Sequence, residues 1–316
     1  MQREVSLLAD NLTLPGAYYG LERQFWLELW RVPCLDAVEE GGIEARHYGP
    51  LRVFVIAGWP RTPLFNLVLG AAQPGAVEDG HLAAALDWTE SLGVDCRIPV
   101  RPDFGEPEAA EDHLNRRGYR RTAIEAMFVR GSAPPDFPQP AGIEVDELTE
   151  EVEGFGEMLA PSYGMGLFEH GFFVGLPGRR DWRSYIALDE EECAIGAATM
   201  MLHYQVAQLG FAATHEASRG KGAHMALLRR RILDALAAGS RSLFAITEEG
   251  LDFPESESVG ARNLIRAGFG LAATRTVWRP PEHLLADDED DRREDEDGEP
   301  DDDDGFDDDH DFELES

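Results

Sequence analysis

The chain has 316 residues, 43% of them apolar, enough for about two domain-sized cores and too many for a single small one. Sixty-one acidic against 28 basic residues give a formal charge of −33, which argues against nucleic acid as a partner and excludes a polybasic membrane anchor, since both need basic contacts. No apolar run reaches the ~20 residues that cross a bilayer, the N terminus lacks the basic-then-apolar order of a secretion signal, and Cys34, Cys96 and Cys193 leave an odd thiol in any pairing scheme; a soluble cytoplasmic protein with reduced cysteines is expected.

A first helix carries Trp26 and Trp30 at i, i+4, a spacing that usually means core. Apolar strands are predicted at Leu51–Ala57 and Leu64–Ala71, then a helix at Gly80–Leu92, a strand at Asp95–Val100, a helix through Glu111–Arg117 and a strand at Arg120–Arg130. Ser132–Gly142 (SAPPDFPQPAG) holds four prolines and reads as a linker, because proline sustains neither a helix interior nor a central strand. The second half repeats the order: a helix at Glu151–Leu159, strands at Ser184–Ala187, Ala194–Leu202 and Val206–Ala213, and a helix at Ala223–Ala238 closed by Gly239. A strand at Ser242–Thr247, a helix at Val259–Ala267 capped by Ser258 and a strand at Leu271–Trp278 complete it. Both halves end in a helix, then Arg-Gly-Tyr (117–119) or Ala-Gly-Phe (267–269), then a strand, the pattern of a divergent internal duplication.

The predicted fold is therefore α/β (α+β): two domains, residues 1–138 and 139–280, with mixed, mainly antiparallel sheets flanked by helices. Residues 281–316 form an acidic tail, and Asp287–Ser316 alone hold 20 acids against two arginines. Such a segment cannot bury enough apolar surface to order itself and is expected to be solvated and disordered, or to serve as a polyanion that captures basic partners.

The most specific signal lies in residues 209–236. A strand runs into Arg219-Gly220-Lys221-Gly222-Ala223-His224, which opens a helix at once. Two glycines allow backbone N–H groups to converge, and the helix N terminus adds its free amides and dipole, a suitable seat for a pyrophosphate. Arg219 and Lys221, the chain's single lysine, add positive charge. An ordinary glycine turn before a helix accounts for Gly-Lys-Gly taken alone.

In context the segment resembles the GNAT superfamily of acetyl-CoA-dependent N-acetyltransferases, whose fingerprint at this strand-to-helix junction is Q/R-x-x-G-x-G/A. Arg219 and Gly222 match it; His224 stands where the family has Gly or Ala. Residues 258–278 (SVGARNLIRAGFGLAATRTVW) resemble the family's closing helix, Gly-Phe and strand, so the likeness spans about 140 residues from Gly142 to Pro280. The resemblance implies acetyl-CoA as co-substrate, no metal, and a thioester lying between two splayed strands. Phe211, Ala212, Ala213 and Thr214 would bond the pantetheine arm, and Arg219, Gly220, Lys221, Gly222, Ala223 and His224 would hold the pyrophosphate. The acceptor would be a primary amine of a small molecule or peptide that attacks directly, with a backbone N–H on the oxyanion, and the protein a monomer or homodimer.

Many family members carry a tyrosine four residues before the Gly-Phe glycine, as acid for the departing thiolate; Leu264 stands there. Glu248 or Glu249, at the end of a predicted strand, is either the base that deprotonates the amine or a solvated loop carboxylate. The five acids of Glu248–Glu257 either steer a cationic amine or form a plain surface loop. His203, Tyr204 and His215 fit turns as well as a pocket. Arg229, Arg230 and Arg231 fit a polar helix face opposite Leu228, Ile232 and Leu236 as well as a nucleotide contact. The first half has no R-G-x-G after its second strand, and Glu78 and Asp79 would repel a pyrophosphate, so it reads as a degenerate copy. On that division a 139–280 fragment is expected to retain CoA binding, and Gly222→Glu is expected to abolish it. The competing function is a non-catalytic acyl-CoA-binding or regulatory protein.

Overall fold

The structure is a computed structural model that describes residues 14–32, 41–165 and 171–286. Helix α1 (Leu14–Leu29) precedes a three-stranded antiparallel sheet of β1 (Ile43–Tyr48), β2 (Leu51–Ile56) and β3 (Leu67–Leu69). The first half continues with α2 (His81–Ser91), β4 (Ile98–Val100), α3 (Pro107–Arg116) and β5 (Arg120–Gly131). The second half supplies β6 (Glu144–Leu148), α4 (Glu153–Leu159), α5 (Gly171–Val174), β7 (Trp182–Leu188), β8 (Ala194–His203) and β9 (Val206–Thr214). After β9 come α6 (Ala223–Ala237), β10 (Ser242–Glu249), α7 (Val259–Arg266) and β11 (Gly270–Arg279). The class is α+β, as predicted.

Local chemistry explains the helix ends. Ser258 Oγ accepts a 3.0 Å bond from Ala261 N and caps α7. Gly239 (φ 89°) and Gly268 (φ 83°) turn the chain out of α6 and α7 in the left-handed region that glycine favours.

The large sheet has eight strands in the order β4-β11-β5-β10-β9-β8-β7-β6. Strand β5, from the first half, is antiparallel to β10 on one edge and to β11 on the other. Strand β11, from the second half, lies between β5 and β4. Each half thus places its final strand against the other half's penultimate one. The position near residue 138 divides the sequence into two similar element orders, but the sheet is continuous across it. Packing follows the same interleaving: Trp278 of β11 is buried in the core beneath α2 and α3, and the Arg130 side chain of β5 donates to the Ala267 carbonyl after α7.

Two further cores sandwich the large sheet. On one face lie α1, α4, α5 and the small sheet, with an aromatic cluster that includes Phe25, Trp26, Phe65, Phe173 and Phe211. On the other face α6 and α7 pack on Phe128, Met200 and Leu209. Trp26 is buried and Trp30 half-buried against this first cluster, in keeping with their i, i+4 spacing.

Several elements differ from expectation. Strands β1 and β6 were not foreseen, because their exposed faces carry charge (Arg46, Glu44; Glu144, Asp146) and blur the alternation. The strand predicted at Leu64–Ala71 is three residues long; the rest of that apolar run turns into the core. Residues 281–286, assigned to the tail, are ordered: Glu282–Leu284 form a 3₁₀ turn, Glu282 pairs with Arg61, and Ala286 N donates to Gly93 O at 2.8 Å. Cys96 is buried and Cys193 exposed, both free. Cys34 and the acidic run 287–316 lie outside the described residues. Among the described residues no helix is long and apolar enough to cross a membrane.

Candidate functional site

Strands β9 and β10 run parallel and pair only at Ser242–Val206, Leu243–Ala207 and Phe244–Gln208. Beyond that they part, so backbone groups along β9 from Gly210 onward have no strand partner on this side. A register shift sits opposite: between the pairs Ala198–Ala212 and Met200–Leu209, one residue of β8 faces two of β9, Gly210 and Phe211. This is a β-bulge, which re-aims backbone groups at the point where the V opens. Gly210 is required there, because a Cβ would lie 2.4 Å from Thr199 Oγ1 and 3.2 Å from the Phe25 ring.

The V opens into a cavity of about 470 Å³, within the range of ligand sites. Its walls come from both halves: Phe25 and Trp26 of α1, Arg97 before β4, Glu125 of β5, Gly210 and Phe211 of β9, and Glu248 of β10. Glu248 lies four residues beyond the last β9–β10 pair, about 13 Å along β10. Glu248 stands opposite Glu125 in the β10–β5 ladder, so two carboxylates share one face. They are not equivalent. Glu125 is 1% exposed and bonded by Arg97 (2.5 Å) and by Arg275; although burial opposes ionisation, the two guanidiniums prevail and hold its pKa below the usual carboxylate range. Arg275 in turn holds the buried Glu22 through two bonds of 2.6 and 2.5 Å. Glu248 faces the cavity and makes no hydrogen bond or ion pair with a described residue. Glu248 is exposed at the mouth of the cavity; its partial desolvation there pushes the carboxyl above the ordinary range, Arg97 opposes that and Glu125 adds to it.

Glu249, the next residue on the strand, points to the other face. It accepts 2.7 Å bonds from Ser258 N and Ser258 Oγ and so anchors the cap of α7. Its oxygens are spent on structure, and the pair of base candidates reduces to Glu248 in the cavity.

Of the expected pantetheine strand, Phe211 and Ala213 are buried in the aromatic cluster, while Ala212 and Thr214 are half-buried. The Tyr163 hydroxyl accepts from Ala212 N at 2.8 Å and donates to Ala212 O at 3.2 Å. Sequence reasoning missed Tyr163; it lies 49 residues from its partner and no motif marks it.

The glycine loop sits at the far end of β9 and does not line the cavity. Gly220 (φ 82°) and Gly222 (φ 103°) take left-handed conformations, and their amides have no backbone acceptor among the described residues. Nor does a side chain cap α6, which leaves the first amides of Ala223 and His224 free. By contrast Arg219 N is bonded to Glu216 O and Lys221 N to Ser218 O. Arg219 also pairs at 3.5 Å with Glu216 in solvent, and Lys221 is exposed. A Cβ at Gly220 would meet open space, whereas one at Gly222 would lie 3.0 Å from Pro140 of the linker. The residues fit an anion seat built from backbone amides, with Gly220 at its open side.

His224 turns toward α7, where its Nδ1 lies 3.2 Å from Asn263 Nδ2 and so accepts from that amide. Burial, with the nearby Arg231 cation, lowers its pKa to about 4, and the ring is neutral at pH 7. Arg231 itself is not on a polar face. It belongs to the 227–231–235 row that packs on the sheet, is 1% exposed, and bonds the Leu227 and Thr199 carbonyls, each at 3.2 Å. Burial lowers its pKa to about 10, so it stays charged. Arg229 and Arg230 hold Phe137 O and Val145 O, tying the linker and β6 to α6. Leu264 is core, so α7 offers no hydroxyl. His203 ends β8, Tyr204 begins the turn after it and is 90% exposed, and His215 is exposed; none lines the cavity.

The first half has the same V in miniature. Strands β3 and β4 touch through a parallel bridge at Leu67–Arg97, and the space beyond, beneath Tyr18 and Arg275, is about 30 Å³. The loop that follows β3 ties its own amides: Gln73 N to Gly70 O, Ala76 N to Gln73 O, Asp79 N to Gly75 O, and Gly80 N to Val77 O. Neither a nest nor a ligand-sized gap exists there.

No family model matches the sequence, and no curated protein matches it. Solved structures do match. A GCN5-related N-acetyltransferase from Kribbella flavida superposes with a TM-score of 0.58 at 11% identity, covering 85% of this chain and 96% of that one. Another from Sphaerobacter thermophilus gives 0.55 at 15% identity, covering 75% and 80%. A tandem GNAT protein from the clavulanic acid biosynthesis pathway gives 0.50 at 14% identity, covering 72% and 77%. With its parted parallel strands, bulged inner strand and repeated element order, the chain has the fold of the GCN5-related N-acetyltransferases in a tandem arrangement.

Proposed function

We propose that the chain is an N-acetyltransferase that moves an acetyl group from acetyl-CoA to a primary amine. The observation that carries this reading is Glu248: a carboxylate with no hydrogen bond or ion pair to a described residue, at the mouth of a ligand-sized cavity, on the strand that parts from bulged β9. The amides of Gly220, Gly222, Ala223 and His224 would seat the diphosphate, and the free edge of β9 would receive the pantetheine amides. Glu248 takes a proton from the acceptor's ammonium, the amine nitrogen bonds to the thioester carbonyl carbon, and the carbon–sulfur bond breaks. A backbone N–H at the bulge stabilises the oxyanion, and the departing thiolate takes a proton from water or from Tyr163, since residue 264 is a leucine. Thiol release from acetyl-CoA in the presence of amines tests the reading: activity is expected, and Glu248→Gln is expected to lower kcat by about 10²–10⁴.

A second reading, acyl-CoA binding without transfer, is favoured by one contact. Tyr163 occupies both the N–H and the C=O of Ala212, groups on the strand edge that a pantetheine arm would use. Acetyl-CoA binding with no thiol release for any amine would support it.

A further inference from the structure

Five charged side chains line the cavity: Glu22, Arg97, Glu125, Glu248 and Arg279. Four are matched. Glu22 is held by Arg275, Arg97 by Glu125, and Arg279 by Asp95. Only Glu248 makes no hydrogen bond or ion pair with a described residue, so the net unbalanced charge of the cavity is a single negative one. Most of the remaining wall is apolar, with Phe25, Trp26, Phe211, Leu64, Ile246 and Val277 around it. At the apex of the V, Gln208 is 4% exposed and its side-chain oxygen has no partner among the described residues, which leaves one further acceptor for an N–H.

Building on the proposed transferase reading, we propose that the acceptor is a monocation: one primary ammonium carried on an aromatic or comparably flat apolar body, without a carboxylate or a second ammonium. The ammonium sits between Glu248 and the cavity, and the ring lies against Phe25, Trp26 and Phe211. The charge pairing selects this class by exclusion. A polyamine would bring a second cation for which no further carboxylate of the cavity is unpaired among the described residues. An amino acid would bring a carboxylate beside Glu248 while both cavity guanidiniums are already engaged. An amino sugar would meet Thr122, Ser162, Tyr163 and Gln208, but the Tyr163 hydroxyl is already bonded to Ala212 and the remaining uncharged wall is apolar, so part of its hydroxyl ring would lose bonds to water. Aromatic faces also attract an ammonium directly, which adds to the same preference.

The test uses the intact chain with tryptamine, spermidine, glucosamine and phenylalanine as acceptors, reading thiol release from acetyl-CoA and, in parallel, acceptor binding to the CoA-loaded protein by calorimetry. Tryptamine is expected to exceed each of the others at least tenfold in kcat/KM and in affinity. Glu248→Gln is expected to weaken tryptamine binding tenfold or more while leaving binding of its uncharged alcohol analogue, tryptophol, unchanged. Equal or better use of spermidine, glucosamine or phenylalanine overturns the acceptor class while sustaining the transferase reading. Absence of turnover with all four defeats the transferase reading, and the binding series then still decides the class: a preference for tryptamine upholds it, and no preference overturns it.

Discussion

Replacing Arg275 by methionine tests how the two halves are joined. Arg275 lies on β11 of the second half and is 4% exposed; it bonds Glu125 on β5 through Nε and Glu22 on α1 through both terminal nitrogens. Both carboxylates are 1% exposed. Methionine retains most of the volume and removes the charge, so cavity formation contributes little. Glu125 keeps Arg97, but Glu22 is left a buried anion with no other partner among the described residues. Stranding one member of a buried pair costs about 3–5 kcal/mol, which for a chain of this size is roughly 6–20 °C in melting temperature. Urea unfolding of the single variant and of Glu22→Leu/Arg275→Met forms the assay. The double variant is expected to be more stable than Arg275→Met alone, because the stranded charge is gone. If Arg275→Met costs under about 1 kcal/mol, or if Glu22→Leu adds its own loss in full, the carboxylates are not buried charges and the account of the network is wrong.

Four further outcomes follow from the site. The acid limb of kcat/KM against pH should lie above the ordinary glutamate value of about 4.3, because Glu248 must be ionised to act and its pKa is raised; Glu248→Gln should remove that limb. His224 is held at about 4 against an ordinary value near 6.5, so the stability linked to its neutral ring is intact above pH 6.5 and lost as pH falls toward 4. The difference in urea midpoint between wild type and His224→Ala should therefore shrink across that window, and a flat difference would contradict the assignment. Gly220→Glu, which projects a carboxylate from the open side of the loop, should raise the acetyl-CoA dissociation constant at least tenfold while the circular dichroism spectrum is retained, and an unchanged constant would refute the nest. Tyr163→Phe frees Ala212 N and O and should tighten acetyl-CoA binding up to about tenfold, the worth of one displaced hydrogen bond; weaker binding would mean that the hydroxyl itself serves the ligand.

What could be read from residues alone was whatever local chemistry decides. Ser258 caps a helix because its hydroxyl reaches an amide three residues on, and Gly220 and Gly222 bend the chain because they alone tolerate those torsions. The loop and the repeated order were therefore legible. Adjacent carboxylates were not separable in that way: Glu248 and Glu249 differ only in which face of β10 each meets, and that depends on β5 and α7 arriving on opposite sides. Arg231 misled for a similar reason, since three consecutive arginines look like a polar face until the 227–231–235 row is seen to pack on the sheet.

The division at residue 138 is the instructive case, because the large sheet draws strands from both sides of it. Residues 139–280 lack β5, so in that fragment β10 and β11 would face each other across a missing strand, with the edge residues paired to Met127 and Phe128 exposed to water. They also lack Phe25, Trp26, Arg97 and Glu125, which removes that wall of the cavity. In that fragment α6 would also lose the Phe137 carbonyl that Arg229 holds and the Phe128 side chain it packs on, and the sheet that aims β9 toward the glycine loop would be broken. The first half is therefore an active partner in the second half's site even though its own V has closed. Tyr18, Tyr19 and Arg275 fill the gap between β3 and β4, and the arginine that fills it is the one that fixes Glu125, the carboxylate whose charge helps raise Glu248. The narrow space of the first half and the raised pKa of Glu248 are thus linked through a single guanidinium.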